Sequence, residues 1–264
     1  MLLPGGLCEH GERLRRFAFK PPTGAIELAM MRHDHDSLPQ RVTQVLCEAL
    51  EHVGDLSPDA DRLQGLCVGD RQFLIRRLAI HFGWDGGWRT VACGHCESEF
   101  DLFIETSALP VKEAGEGFPF AEANLEGRSV RLRVPNGADQ QRIAGIESDD
   151  EALRALLELC LVTPSDLSVA ELPKSAVERL EQELEAVAPE VVTQVESACP
   201  DCGRANAIAV DPYACLQGDG GELLAEVHAL AMSYHWSEPQ ILALPRDRRL
   251  HYLELVDRSR GMTH

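Results

Sequence analysis

VACGHCE, residues 91–97, and SACPDCG, residues 197–203, each carry a Cys-x-x-Cys motif, and 102 residues separate Cys96 from Cys199. Alternating apolar and polar residues flank both motifs, which predicts a strand, a tight turn and a second strand at each. One such turn supplies half of a tetrahedral zinc shell, and two turns supply all of it. The sequence therefore predicts a split zinc ribbon, in which two distant hairpins share one structural zinc.

The predicted metal ligands are the sulfurs of Cys93, Cys96, Cys199 and Cys202. Four thiolates leave no open position for water, so the metal would stabilise the fold rather than catalyse. Shared coordination predicts Cys93 and Cys199 within about 4 Å of each other. Four thiolates suit iron as well as zinc. Two other interpretations stay open: separate knuckles without a metal, and redox chemistry, although a redox centre normally lies between a strand and a helix.

Composition and charge limit the classes of function. The 264 residues are 44% hydrophobic and 26% charged, which is typical of a globular protein, and the net charge is −18. Residues 145–190 hold 12 acidic and 3 basic side chains, a net charge of −9. Such a balance argues against a protein that holds nucleic acid by neutralising phosphates. No nucleic acid or membrane partner is expected, and no small-molecule substrate.

The lack of catalytic motifs predicts a protein that is not an enzyme. The sequence has no phosphate-binding loop, nucleophile elbow, zincin helix or dinucleotide-binding glycine motif. His95-Cys96-Glu97 fits the H-x-E of zinc deaminases, but His95 lies inside its own Cys-x-x-Cys and Ala198 replaces the expected proline. The first ten residues do not resemble a secretory signal, so a cytoplasmic location is expected.

Hydrophobic periodicity predicts the remaining elements. Ser37 and Pro39 open a helix with an apolar face from Val42 to Val53. Asp70 is expected to cap a second helix, residues 71–82. Its three arginines, Arg71, Arg76 and Arg77, are expected to point outward. The segment His33-Asp34-His35-Asp36 is interpreted as a solvated loop, and the five other cysteines as structural.

These patterns together predict an α+β fold that is mostly helical, with the split zinc ribbon and a small inserted α/β subdomain. The expected domains are an N-terminal arm and helical segment, the first zinc-knuckle hairpin, an acidic inserted subdomain, the second hairpin and a C-terminal helical segment. Their expected bounds are residues 1–83, 84–108, 109–190, 191–213 and 214–264.

Six segments, in order along the chain, resemble the assembly chaperones of the baseplate hub in T-four-type (T-even) phages, which are also encoded beside contractile tail-like injection systems. The segments are LPGG (3–6), PPTGAIELAM (21–30), GDRQFLIRRLAIHFG (69–83), EGRSVRLRVPNGADQ (126–140), ACPDCGRANAIAVDPYACL (198–216) and LLAEVHALAMSYHWSEPQILALPRDRRLHYLELV (223–256). The first knuckle departs from the pattern, since Glu97 follows its second cysteine where glycine would ease the turn.

The resemblance implies an assembly or structural role in the baseplate of a contractile phage tail-like particle, with baseplate or hub proteins as partners. The protein could remain in the finished particle. A zinc-ribbon regulator that binds nucleic acid is the alternative. The partner surface is expected on the terminal helices, where an aromatic and aliphatic anchor is ringed by arginines. Its residues are Tyr234, Trp236, Leu242, Leu244, Arg246, Arg248 and Arg249. Packing of Tyr234 and Trp236 between the last helices is the competing interpretation.

Overall fold

A computed structural model describes residues 1–31, 37–164, 166–218, 220–259 and 261. The loop predicted at His33-Asp34-His35-Asp36 lies outside these residues. Within them the chain forms 10 α-helices and 12 β-strands, 45% helix and 26% strand, and the strands pair in small antiparallel sheets. The fold is therefore α+β, and the expectation of a mostly helical chain with an α/β insertion is wrong. Tight hairpin turns, rather than crossover helices, join many neighbouring strands, so they pair antiparallel.

The N-terminal core combines a three-stranded sheet with four helices. The strands are β1 (Leu2–Glu9), β2 (Glu12–Phe19) and β3 (Leu50–Val53), in the order β1-β2-β3. The helices are α1 (Gly24–Met31), α2 (Leu38–Ala49), α3 (Ala60–Gly65) and α4 (Val68–His81). The predicted start of α2 is confirmed, because Ser37 and Gln40 form a capping box. Val42 and Leu46 of its apolar face are buried as expected, at most 1% exposed. The helix ends at Ala49, however, so the expectation that its face continues to Val53 is wrong, because Leu50–Val53 pairs with β2 as strand β3.

Helix α4 differs from its prediction in two ways. It begins at Val68, and Asp70 lies in its first turn, where the carboxylate accepts hydrogen bonds from the backbone N–H groups of Gly5 and Gly6, both at 2.7 Å. Arg71 is fully buried and Arg76 is 6% exposed, so the expectation that both point outward is wrong. The helix packs against β1 and α2, and this leaves it little solvent-facing surface.

The segment between the hairpins has its own hydrophobic core. It starts at β6 (Val111–Lys112) and ends at β10 (Glu190–Val191), and these two strands pair with each other. Between them lie the sheet β7 (Phe120–Leu125), β8 (Arg128–Arg133) and β9 (Leu161–Thr163), and the helices α5 (Gly137–Ile143), α6 (Asp149–Cys160) and α7 (Lys174–Val187). The chain thus leaves the core and returns to it at one place.

The remaining elements are two hairpins and a group of helices at the C-terminal end. The first hairpin is β4 (Gly87–Ala92) with β5 (Glu99–Ile104), and the second is β11 (Gln194–Ala198) with β12 (Ala205–Ala209). The helices are α8 (Gly221–Tyr234), α9 (Glu238–Leu242) and α10 (Arg246–Ser259). Short 3₁₀ helices cover Thr106–Ala108, Val169–Glu171 and Ala214–Leu216. None of the described helices is both long and apolar enough to cross a bilayer.

Candidate metal centre

The two Cys-x-x-Cys turns have the same backbone hydrogen bonds. In the first, Cys93 N–H donates to Ser98 O at 2.9 Å and Glu97 N–H donates to Cys93 O at 3.0 Å. In the second, Cys199 N–H donates to Arg204 O and Gly203 N–H donates to Cys199 O, both at 2.9 Å. Each turn therefore closes its hairpin and directs two cysteine side chains to one side.

The turns also share a left-handed residue after the second cysteine. Glu97 has φ 64° and Gly203 has φ 71°. Glycine adopts this conformation freely, whereas a side chain brings Cβ too close to the following carbonyl oxygen. Glu97 therefore holds the first turn in a conformation that its side chain disfavours.

The hairpins bring the four predicted cysteines together. The Sγ atoms of Cys93 and Cys202 are 3.7 Å apart, as are those of Cys96 and Cys199, and all four lie within 4.8 Å of one another. A tetrahedron with metal–sulfur bonds of about 2.3 Å has sulfurs about 3.8 Å apart. The four thiols could therefore hold one metal ion between them, which links residues 103 positions apart in the chain.

Burial divides the four cysteines into two pairs. Cys93 and Cys199 are at most 2% exposed and pack on Phe100, whereas Cys96 and Cys202 are exposed. The inner pair closes the site toward the hairpins, and the outer pair faces solvent. One side of the cluster is therefore accessible for loading a metal.

The surrounding hydrogen bonds favour thiolates in the first turn. The N–H of His95 points at Cys93 Sγ from 3.4 Å and lowers the pKa of this thiol to about 6. The pKa of Cys96 is lowered as well, chiefly by its contact with the Ser98 hydroxyl. The thiolate is the form of cysteine that binds a metal.

Two residues outside the cysteine set join the hairpins directly. Asn206 Oδ1 accepts a hydrogen bond from Gly94 N–H at 3.0 Å, and Asn206 Nδ2 donates to Arg204 O at 3.1 Å. The His95 ring Nε2 lies 3.2 Å from Ala205 O. His95 is thus engaged away from the sulfurs, unlike the metal ligand of a deaminase. Asn206 was missed in the sequence, although an amide at a buried position of an alternating strand is a signal for such a contact.

The other cysteines do not join this cluster. Among the described residues, the cysteines at positions 8, 47, 67, 160 and 215 belong to no group of potential metal ligands. Cys160 is fully buried in the core of the inserted segment, and burial raises its pKa to about 12. This thiol is held in its neutral form, as suits a small apolar residue.

The residues expected at a partner surface do not form one exposed patch. Tyr234 stacks on Trp236 with ring centroids 4.8 Å apart, and both contact Tyr252 in the C-terminal helices. Leu242 is buried in the same cluster, and Leu244 is half-buried. The aromatic side chains therefore pack against one another rather than standing free.

The three expected arginines have different environments. Arg249 is fully buried and bonds to Glu27 and Glu226, so its assignment to an exposed rim is wrong. Arg246 also pairs with Glu27, at 2.7 Å. Arg248 is exposed and lies over the Tyr252 ring, 5.9 Å from its centroid. The acidic partners on α1 and α8 explain the burial, because a buried charge needs a counter-charge.

Comparisons with known proteins identify no family and no function for this chain. No protein-family model, curated protein or solved structure matches the chain.

Proposed function

We propose that the four cysteines hold one structural zinc, which fixes the two hairpins to each other across the inserted segment. The observation that carries this proposal is the convergence of four sulfurs from two distant turns, within 4.8 Å of one another. Four thiolates complete a tetrahedral shell, so no position is left for a substrate or a catalytic water. A site of this type contributes to folding rather than to catalysis.

We further propose that the protein is a non-enzymatic assembly chaperone or structural component of a contractile phage tail-like baseplate. The support is the resemblance of six ordered segments, which span most of the chain, to baseplate hub assembly chaperones. The closed cysteine site agrees with a non-enzymatic role. Partners are then baseplate or hub proteins.

The C-terminal helices are the proposed partner surface. Met232 on α8 is 62% exposed and Leu255 on α10 is 37% exposed, and exposed Arg248 lies near the aromatic cluster. Apolar side chains beside an arginine are typical of interface centres. Trp236 packs in the same helices, in contact with Tyr234 and Tyr252.

Co-expression with neighbouring baseplate genes tests this role. The tagged wild-type chain should co-purify with a baseplate protein, and Met232→Glu should lose it without a change in thermal stability, because Met232 is exposed. Leu38→Glu, at an exposed position of α2, is the matched control and should retain the partner. Failure of the wild-type chain to capture any co-expressed baseplate protein would contradict the proposal.

A zinc-ribbon nucleic-acid regulator is the second candidate. The first hairpin exposes Trp88 and Phe103, which are 72% and 47% exposed and contact each other. Exposed aromatic side chains can stack on single-stranded bases, but the adjacent Arg89 is directed to the opposite face of the strand, and the net charge of −18 opposes phosphate binding. Tight binding to random single-stranded or duplex DNA in a gel-shift experiment at low salt would place this candidate first.

A further inference from the structure

A cavity of about 390 Å³ lies where the two hairpins join the N-terminal core. Its volume is within the range of small-ligand sites, about 300–1,000 Å³. The end of α4, the first hairpin, the residues on either side of the second hairpin and the 3₁₀ helix at 214–216 contribute to its wall. The lining includes Arg76, Trp84, Trp88, Ile104, Val210 and Cys215.

Arg76 is the unusual residue of this wall. Its side chain is 6% exposed, and its Nη2 donates to Leu109 O at 2.9 Å. Its Nε and Nη1 are buried without a hydrogen-bond partner, and no ion pair joins it to a described acidic side chain. Burial lowers the pKa of its guanidinium, and the nearby charge of Arg77 acts in the same direction.

The two other buried arginines have more hydrogen-bond partners, although one donor of each, Arg71 Nε and Arg249 Nη1, also lacks a partner. Arg71 donates to two backbone carbonyls and to Thr43, and Arg249 pairs with Glu27 and Glu226. Buried charges are ordinarily paired, because a charge without partners loses its solvation. Arg76 is thus a buried cation in the wall of an open cavity, and its guanidinium must shift toward the cavity for a ligand to reach the two donors that lack partners.

The acidic residue of the wall does not supply the missing partner. Asp211 accepts hydrogen bonds from the Tyr213 N–H at 2.8 Å and from Gln217 Nε2 at 2.6 Å. The second arginine in the wall, Arg89, is exposed at the rim. The rest of the lining is largely apolar and includes two tryptophans. The cavity therefore combines a buried positive charge with an aromatic wall.

We propose that this cavity binds a carboxylate group carried on an apolar body, with Arg76 as its ion-pair partner. A carboxylate fits because its two oxygens match the fork of guanidinium N–H donors. Ile104, Val192 and Val210, with Trp84, which stacks on Phe82, give the apolar body a surface to pack against. The site is separate from the cysteine cluster, which lies at the opposite ends of the hairpins, and the proposal does not depend on the protein's role in a baseplate.

Calorimetric titration with two probes tests the site and identifies the source of the carboxylate. The probes are 3-phenylpropionate and a peptide blocked at both ends, acetyl-Gly-Phe-Glu-Leu-Gly-amide. Their neutral counterparts are 3-phenylpropanamide and the same peptide with Gln in place of Glu. We expect at least one acid to bind about tenfold or more tightly than its neutral counterpart, because hydrogen bonds to a charged group are stronger than those between neutral groups. Tighter binding of the peptide points to a partner protein, and tighter binding of the small acid points to a metabolite.

Variants assign the binding to Arg76. Arg76→Gln should weaken the bound acid by about tenfold or more, and Arg76→Lys should retain part of the affinity, because it keeps the charge and loses the fork. Arg77→Gln, one position along α4, is the matched control and should change the affinity less than twofold. Equal binding of acids and amides by the wild-type protein, or no binding of either acid, would overturn the proposal even if Arg76→Gln does not fold.

Discussion

At the residue scale, Glu97 and Gly203 are different residues at the same position of the same type of turn. Both follow the second cysteine of a knuckle, and both have positive φ. A left-handed conformation costs a residue with a side chain about 1–2 kcal/mol. A Cβ at Gly203 would meet no atom within 4 Å, so a substitution there reports the backbone cost alone.

Glu97→Gly is therefore expected to stabilise the metal-loaded protein by up to about 1 kcal/mol, since relief of the left-handed strain exceeds the added chain entropy of glycine. Gly203→Ala should destabilise it by about 1 kcal/mol. Denaturant unfolding measures both free energies. If Glu97→Gly lowers stability, the side chain of Glu97 contributes a contact that offsets its strain.

At the element scale, helices with a regular spacing of apolar residues can be predicted from the sequence. Elements that depend on contacts with distant residues cannot. Helix α2 follows from Ser37, Pro39 and its apolar spacing. The sequence does not predict strand β1, because Pro4, Gly5 and Gly6 disfavour strands. The α4 residue Asp70 accepts hydrogen bonds from the N–H groups of both glycines, which lie 64 and 65 positions away.

The meeting of the two knuckles could be predicted because each Cys-x-x-Cys motif supplies two of the four ligands of a tetrahedral metal shell. The buried arginines could not, since a charged side chain in an amphipathic pattern is normally exposed. Arg71 is buried because the carbonyls of Leu63 and Pro39 accept from it, both at 2.7 Å. These acceptors lie on α2 and α3, so only the assembled core shows them.

Arg71 also fixes the position of α5. A Cβ on Gly137 would lie 2.5 Å from Arg71 Cζ, and the guanidinium cannot move away without breaking its own hydrogen bonds. Gly137→Ala should lower the free energy of unfolding by about 1–3 kcal/mol. Gly145→Ala, where a Cβ meets no atom within 4 Å, is the control and should change little. Equal unfolding midpoints for both variants would show that Arg71 does not restrain this approach.

At the scale of the whole molecule, buried charges attach the C-terminal helices to the N-terminal core. Glu27 on α1 is 3% exposed and accepts from Arg246 and Arg249, which belong to α10. Arg249 also bonds Glu226 on α8 at 2.7 Å. Glu27 thus links the start of the chain to residues more than 200 positions later.

Glu27→Ala should destabilise the protein by about 3–5 kcal/mol, because it leaves Arg249 buried with one counter-charge removed. Glu178→Ala removes a partner of the exposed Lys174–Glu178 pair and should have no measurable effect. Thermal unfolding followed by circular dichroism compares the two variants. A small effect of Glu27→Ala would mean that solvent reaches Arg249.

The inserted segment shows why the two knuckles are so far apart. The pairing of β6 with β10 brings its ends together, and the hairpins on either side can then meet. A shared metal would lock this arrangement at the tips of the hairpins, while Asn206 joins them by hydrogen bonds. Two contacts therefore bring the chain together on either side of the inserted segment: the β6–β10 pair at its ends and the Gly94–Asn206 hydrogen bond between the hairpins.

Metal content combined with X-ray absorption tests the proposed shared zinc most directly. The account predicts one zinc per chain with four sulfur ligands at about 2.3 Å. Cys199→Ser should reduce the zinc content sharply, and Cys160→Ser, which removes a buried thiol outside the cluster, should leave it at one per chain. A purified protein that holds no metal, or a zinc with nitrogen or oxygen ligands that survives Cys199→Ser, would contradict the account.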